Sequence, residues 1–210
     1  MKKTAISFTK KTTHSRKNSY LSRLWLVLLL VAGGWVTACG PQSEKEAAKT
    51  ENNIPMNEEE LMRKAIALSI ENVANGGGPF GAVIAKDGHI IATGVNRVTA
   101  NHDPTAHAEV SAIRAACEKL DTFDLSGCEI YTSCEPCPMC LGAIYWARLD
   151  KMYFANNKDD AKQIDFDDSF IYDELALPLS ERKLPAEILL RDEALKAFQL
   201  WREKTDKIEY

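Results

Sequence analysis

A three-layer α/β/α fold around a mixed central sheet is the class this sequence predicts for residues 56–210, and three observations carry it. A capped amphipathic helix comes first, a tight hairpin of two β-like runs follows, and helices then alternate with short strands. Alternation of that kind covers both faces of a sheet with helices. The chain has 210 residues, 45% hydrophobic and 27% charged, which suits a domain with a core of ordinary size. That composition excludes a disordered chain and a multi-pass membrane protein.

The elements can be justified in order. Asn57 followed by Glu58-Glu59-Glu60 is a helix cap with acids in the first turn, matched to the helix dipole. Leu61, Met62, Ala65, Ile66, Leu68, Ser69 and Val73 keep helical spacing until Asn75-Gly76-Gly77-Gly78-Pro79 stops them. Runs 80–86 and 89–95 meet at Asp87-Gly88, a strong hairpin signal. Residues 106–119 read as a helix, 128–132 as a strand, 137–147 as a helix and 152–155 as a strand. Residues 157–168 are polar and read as a loop; 187–190 are expected as a last strand, and Asp192 as the cap of a terminal helix.

Charge is unevenly distributed. Residues 1–55 carry 9 Lys/Arg against 3 Asp/Glu, which leaves 17 basic and 27 acidic residues, a net of −10, for 56–210. Such a domain is a poor general binder of nucleic-acid phosphates, whose affinity comes from Lys and Arg, so nucleic acid is not the expected partner. The N-terminus reads differently. Lys2, Lys3, Lys10, Lys11, Arg16, Lys17 and Arg23 precede an uncharged stretch, 24–38, too short for the roughly 20 residues of a spanning helix. A basic start, a short apolar core and small residues describe an export signal, here over residues 1–38. Its end, Val36-Thr37-Ala38-Cys39, resembles the lipobox of bacterial lipoproteins. The resemblance implies cleavage before Cys39, lipid on that cysteine and a membrane-anchored, exported protein, with 39–55 as a flexible tether. An uncleaved anchor, or a cytoplasmic protein starting at Met56, is the alternative.

The chemistry sits in two short motifs. His107-Ala108-Glu109 stands at the start of one predicted helix, and Pro136-Cys137-Pro138-Met139-Cys140 opens another. Cysteines at i and i+3 of a first helical turn face the same way, and the helix N-terminus favours their thiolates. One imidazole added makes three protein ligands and leaves a tetrahedral zinc an open position; water bound there ionises near neutrality, as hydrolysis requires. Glu109 is not needed for coordination and is placed to move protons. Each piece has other readings. A C-x-x-C can be a redox pair, although no thioredoxin-like setting surrounds this one. A structural zinc site would need a fourth ligand, with His102 and Cys134 the nearby candidates. The full H-x-E…P-C-x-x-C order is the signature of zinc nucleobase deaminases.

The resemblance extends further. The stretches from Asn101 to Glu109, Tyr131 to Arg148 and Phe166 to Tyr172, with Phe198, Trp201 and Tyr210, resemble the bacterial guanine deaminases of the cytidine/deoxycytidylate deaminase superfamily. That implies a cytidine-deaminase-like fold holding one zinc through His107, Cys137 and Cys140. It further implies that Glu109 shuttles protons and that Asp168 contacts the reacting amino side. Asn96 would hydrogen-bond a purine base walled by Phe80 and Trp146. Tyr210 would reach into a neighbouring subunit's pocket, in a homodimer with exchanged C-terminal segments. Bland roles stand beside these: core packing for Phe80 and Trp146, a helix cap or acidic turn for Asp167 and Asp168, a turn for Asn96, and small buried apolar residues for Cys117, Cys128 and Cys134. The rival functions are a tRNA adenosine deaminase or other nucleoside or nucleobase deaminase, and a catalytically inactive zinc-binding lipoprotein.

Overall fold

The computed structural model describes residues 54–209. The expected signal at 1–38, most of the tether with Cys39, and the terminal Tyr210 lie outside the described residues. The elements are α1 (Glu58–Ala74), β1 (Gly81–Lys86), β2 (His89–Val95), α2 (Val98–Asn101), α3 (Ala108–Leu120), β3 (Glu129–Cys134), α4 (Pro138–Trp146), β4 (Lys151–Asn156), α5 (Lys158–Lys162), α6 (Ser169–Ala176), a 3-10 turn (Leu179–Glu181) and α7 (Arg191–Glu203).

Local chemistry accounts for the first elements. Asn57 Oδ1 accepts from the Glu60 amide at 3.0 Å, and Glu60 Oε2 accepts from the Asn57 amide at 2.8 Å. This reciprocal pair satisfies two otherwise orphaned N–H groups and fixes where α1 starts. Asp87 (φ 51°) and Gly88 (φ 76°) both take left-handed backbone. That is the requirement of a type I′ turn, whose twist matches paired strands.

The sheet order is β2-β1-β3-β4; β1 runs antiparallel to both its neighbours, and β3 and β4 are parallel through α4. Alternate side chains of β1 serve opposite faces. Ala82 and Ile84 pack with Ala108, Ala112 and Ala116 of α3 and Ile144 of α4. Val83 and Ala85 pack with Leu61 and Ala65 of α1 and with Tyr131. Helices thus cover both faces of the mixed sheet, giving the three layers expected from the alternation. The near-continuous apolar run of β1 follows from being covered on both sides.

Several expectations change. Residues 157–168 are not one loop: Asn157 and Asp160 form a second capping box, and α5 follows it. Helix α6 was not foreseen. Residues 187–190 form no strand; Ile188 and Leu189 are 82% and 84% exposed, and an extended run without a ladder partner leaves its backbone unpaired. Asp192 is not the cap of α7. Leu190, with φ 52°, precedes the helix, and Asp192 lies in its first turn, where the dipole still favours its charge.

Candidate active site

Two helix N-termini converge beyond the carboxyl end of β3. His107 is the residue before α3 and Cys137 the residue before α4; both are extended, with ψ of 161° and 166°. Pro138 takes the first helical position of α4, where its missing N–H costs nothing. Neither residue's side chain makes a capping bond to its own helix. They turn toward each other instead. His107 Nδ1 lies 3.6 Å from Cys137 Sγ and 3.5 Å from Cys140 Sγ, and the three donor atoms fall within 4.8 Å of one another. Ordinary Zn–S and Zn–N bond lengths at tetrahedral angles separate such atoms by about 3.6 Å. The donor set fits zinc. Among the described residues His102 and Cys134 do not join the cluster: His102 ends α2, and the Cys134 thiol points to the Asn157 carbonyl at 3.6 Å. Three ligands, not four, is the arrangement present.

The proton states are coupled. The Cys140 thiol hydrogen-bonds to Cys137 and, with His107, pulls the Cys137 thiol down to about 4. The same sharing pushes Cys140 up, and the Cys137 partner raises His107. The shared protons lower one thiol and raise its partners, and a zinc held by the three donors would take the place of those protons. Glu109, second residue of α3, is buried at 7% exposure, and burial pushes its carboxyl up. A carboxyl raised by burial above its usual range suits a group that takes and returns a proton.

A cavity of about 440 Å³ opens onto this cluster, lined by Phe80, Asn96, Glu109, Phe166 and Asp168 among others. Phe80 and Phe166 meet edge to face, centroids 5.0 Å apart at 86°. Asn96 Oδ1 accepts from the Val98 amide at 3.3 Å, so this buried residue both shapes a turn and lines the cavity. Asp167 and Asp168 divide their tasks. Asp167 Oδ1 accepts from the Ser169 amide and hydroxyl, and Oδ2 pairs with Lys162 at 3.1 Å. Asp168 makes no side-chain bond to its own helix, and its carboxyl is raised first by burial and then by Cys137.

Trp146 is placed differently from expectation. It ends α4 at 68% exposure and does not line the cavity of its own chain. Helix α4 is apolar nearly all round, so its sequence does not say which side faces in; Cys140 and Ile144 take the inward face. Phe166 supplies the second wall. Cys39 and Tyr210 lie outside the described residues. Of the other cysteines, Cys128 and Cys134 are buried and Cys117 partly so, all as free thiols. Cys134 also borders the cavity, its thiol pushed up to about 11 by burial.

Tyr172 was missed. Its hydroxyl donates to the Pro136 carbonyl at 3.3 Å, steadying the turn before Cys137, and Lys158 Nζ lies 5.2 Å from its ring. The resembling stretch Phe166 to Tyr172 ends on it, and its i+4 spacing from Asp168 is the local signal.

Residues 55–156 match the family model described as the cytidine and deoxycytidylate deaminase zinc-binding region. Guanine deaminase from Bacillus subtilis is 54% identical over 156 residues, 74% of this chain and 100% of that protein. Its X-ray structure superposes with a TM-score of 0.72, covering 74% of this chain and 99% of that one. A structure of guanine deaminase from Nitrosomonas europaea is 31% identical, covering 74% of this chain and 92% of its own, at a TM-score of 0.52. A tRNA-specific adenosine deaminase from Aquifex aeolicus is 41% identical over 100 residues, 48% of this chain and 66% of that protein.

Proposed function

The chain belongs to the cytidine and deoxycytidylate deaminase family, and from that premise we propose that it hydrolyses free guanine to xanthine and ammonia, a step of purine catabolism. One observation carries the reading: three zinc donors and a buried Glu109 stand on a cavity with aromatic walls and a carboxylate, Asp168, on its rim. His107, Cys137 and Cys140 would hold a zinc ion, and the chemistry it would supply is a bound water that ionises near neutrality. Glu109 takes the proton this water loses and delivers it to the ring nitrogen beside C2. Phe80 and Phe166, meeting edge to face, form one apolar corner of the cavity against the flat base, and Asn96 orients its polar edge. Asp168 accepts from the exocyclic amine and helps pass a proton to departing ammonia. Water adds across C2, the C2–N bond breaks, and atoms balance as guanine plus water to xanthine plus ammonia.

Steady-state assays with guanine, adenine, cytosine, cytidine and a tRNA stem-loop test this. Guanine should be turned over with the highest kcat/KM by far. Preferential deamination of adenosine in the stem-loop would overturn the reading in favour of the tRNA-editing relatives. The acids around the cavity and the domain's net charge of −10 oppose that outcome.

Two finer points complete the proposal. The protein works as a homodimer with exchanged C-terminal segments. In support, α7 exposes Leu195, Phe198 and Trp201, with Phe198 71% exposed, and such a helix gains stability by laying its apolar stripe on a partner. Tyr210 then closes the neighbouring pocket. The protein is also exported and anchored through lipid on Cys39, with the lipobox-like end of the N-terminal signal in support. Cell fractionation with lipid labelling, lost in Cys39→Ala, is the expected result; label-free protein in the soluble fraction would contradict the anchor.

A further inference from the structure

Asn72 lies in the last turn of α1, on the layer opposite the zinc donors, yet it is only 5% exposed. A polar side chain so buried is costly unless its hydrogen bonds are made. Both are. Its Nδ2 donates to the Gly78 carbonyl at 2.7 Å and to the Asn96 carbonyl at 2.9 Å. Those acceptors belong to two separate stretches that line the cavity. The stretches touch: the Asn96 amide donates to the Phe80 carbonyl at 3.2 Å, and a Cβ on Gly78 would lie 3.1 Å from Asn96 Cγ. The glycine loop also wraps over Asn72. The Gly77 amide donates to the Asn72 carbonyl at 2.8 Å, and a Cβ on Gly77 would stand 2.4 Å from Nδ2.

Three successive glycines are too free to hold a shape by themselves. Beside the backbone bond from Asn96 to Phe80, Asn72 fastens their carboxyl end to the start of the Asn96 turn. We propose that Asn72 is a positioning residue: without touching the base, it fixes Asn96 against the Gly78–Phe80 wall so that the purine is bound in register. The proposal rests on the guanine deaminase reading and names a determinant of base binding within it.

The test is kinetic, on zinc-loaded dimer or whatever assembly the full chain adopts. Asn72→Asp keeps the shape but offers the two carbonyls an acceptor in place of donors; Asn72→Ala removes both bonds. Each should raise KM for guanine about tenfold or more, as two lost hydrogen bonds imply, with kcat per bound zinc within about threefold of the parent. Gly77→Ala keeps Asn72 but drives its amide aside, and should raise KM in the same direction. In the Asn72→Ala background the added methyl meets no amide, so the double variant should be no worse than Asn72→Ala alone, a strongly non-additive cycle. A purely structural role would lower folded yield or zinc content and leave KM of the folded enzyme unmoved. KM within about twofold in both Asn72 variants, or additive effects with Gly77→Ala, would overturn the proposal. If the wild-type enzyme is inert on guanine and active on another base, the guanine reading alone falls, and the same KM ratio with that base decides for Asn72.

Discussion

The Ala108 carbonyl lies against Gly94: a Cβ built on that glycine would stand 2.1 Å from the oxygen and 2.5 Å from the Ala112 amide. Helix α3 therefore sits directly on β2, backbone against backbone, at the turn that follows His107 and contains Glu109. Gly94→Ala should push this turn outward. An overpacked core position of this kind costs roughly 1–3 kcal/mol or more, and here the displaced turn carries the chemistry. Urea denaturation should show the loss, and zinc content and turnover should fall with it. Unchanged stability and activity would mean that α3 is not so closely seated.

Removing a ligand should abolish metal binding without emptying the core. Cys137 is only partly buried, so Cys137→Ala should fold, carry no stoichiometric zinc and lose turnover. Chelator should lower the melting temperature of the parent, because a metal bound only to the folded state stabilises it by about 4 kcal/mol at a thousandfold excess over Kd. The variant's melting temperature should not respond. Tight zinc binding that persists in both Cys137→Ala and Cys140→Ala would refute the ligand set.

Glu109→Gln is nearly isosteric and cannot carry a proton. It should keep one zinc per chain and the parental melting temperature while kcat falls by about 10²–10⁴-fold. Activity within about tenfold of the parent would remove Glu109 from the reaction.

The two neighbouring aspartates should separate cleanly. Asp168→Asn should lower kcat by about a hundredfold or more, as loss of a proton-handling group does, and leave stability nearly unchanged. Asp167→Asn should spare activity and weaken the start of α6. The bonds from Ser169 and Lys162 hold the Asp167 carboxyl at about 2, below the usual value near 3.9. A depressed carboxyl contributes its stability above the unfolded value and loses it as pH falls through the folded one. The difference in urea midpoint between parent and Asp167→Asn should therefore be full above about pH 5 and shrink toward pH 2. A difference that stays constant across this range would show that charge at Asp167 is irrelevant.

Deleting residues 207–210 should raise KM and lower kcat with zinc content and dimerisation intact. Mixed with Glu109→Gln chains, the truncated subunit should regain activity by borrowing Tyr210 from its partner. Proven hybrids with no recovery would strike the tail from the site.

What was legible in the sequence is what depends on neighbours along the chain. The Asn57 capping box, the Asp87-Gly88 turn and the two metal motifs each announce themselves within a few residues. Asn72 did not, because a polar residue in the last turn of an amphipathic helix reads as solvent-facing; its bond to Asn96 reaches across 24 positions. The exposure of Trp146 within its own chain was not legible, because an all-apolar helix has no face to read. Ile188-Leu189-Leu190 looked like a strand from composition alone, and strand formation requires a partner that sequence does not supply.

The bond from the Gly81 amide to Ser133 Oγ joins positions 52 apart, and the loop so closed contains all of α3 with His107. Closing a loop of that length costs chain entropy that only the tertiary contacts return. Cys137 and Cys140, three residues apart, are brought together as soon as α4 nucleates. The two thiols are therefore a local pair, whereas the imidazole joins them only through tertiary structure. The full donor set thus exists only in the folded domain, so a metal held there favours the fold and unfolding releases it.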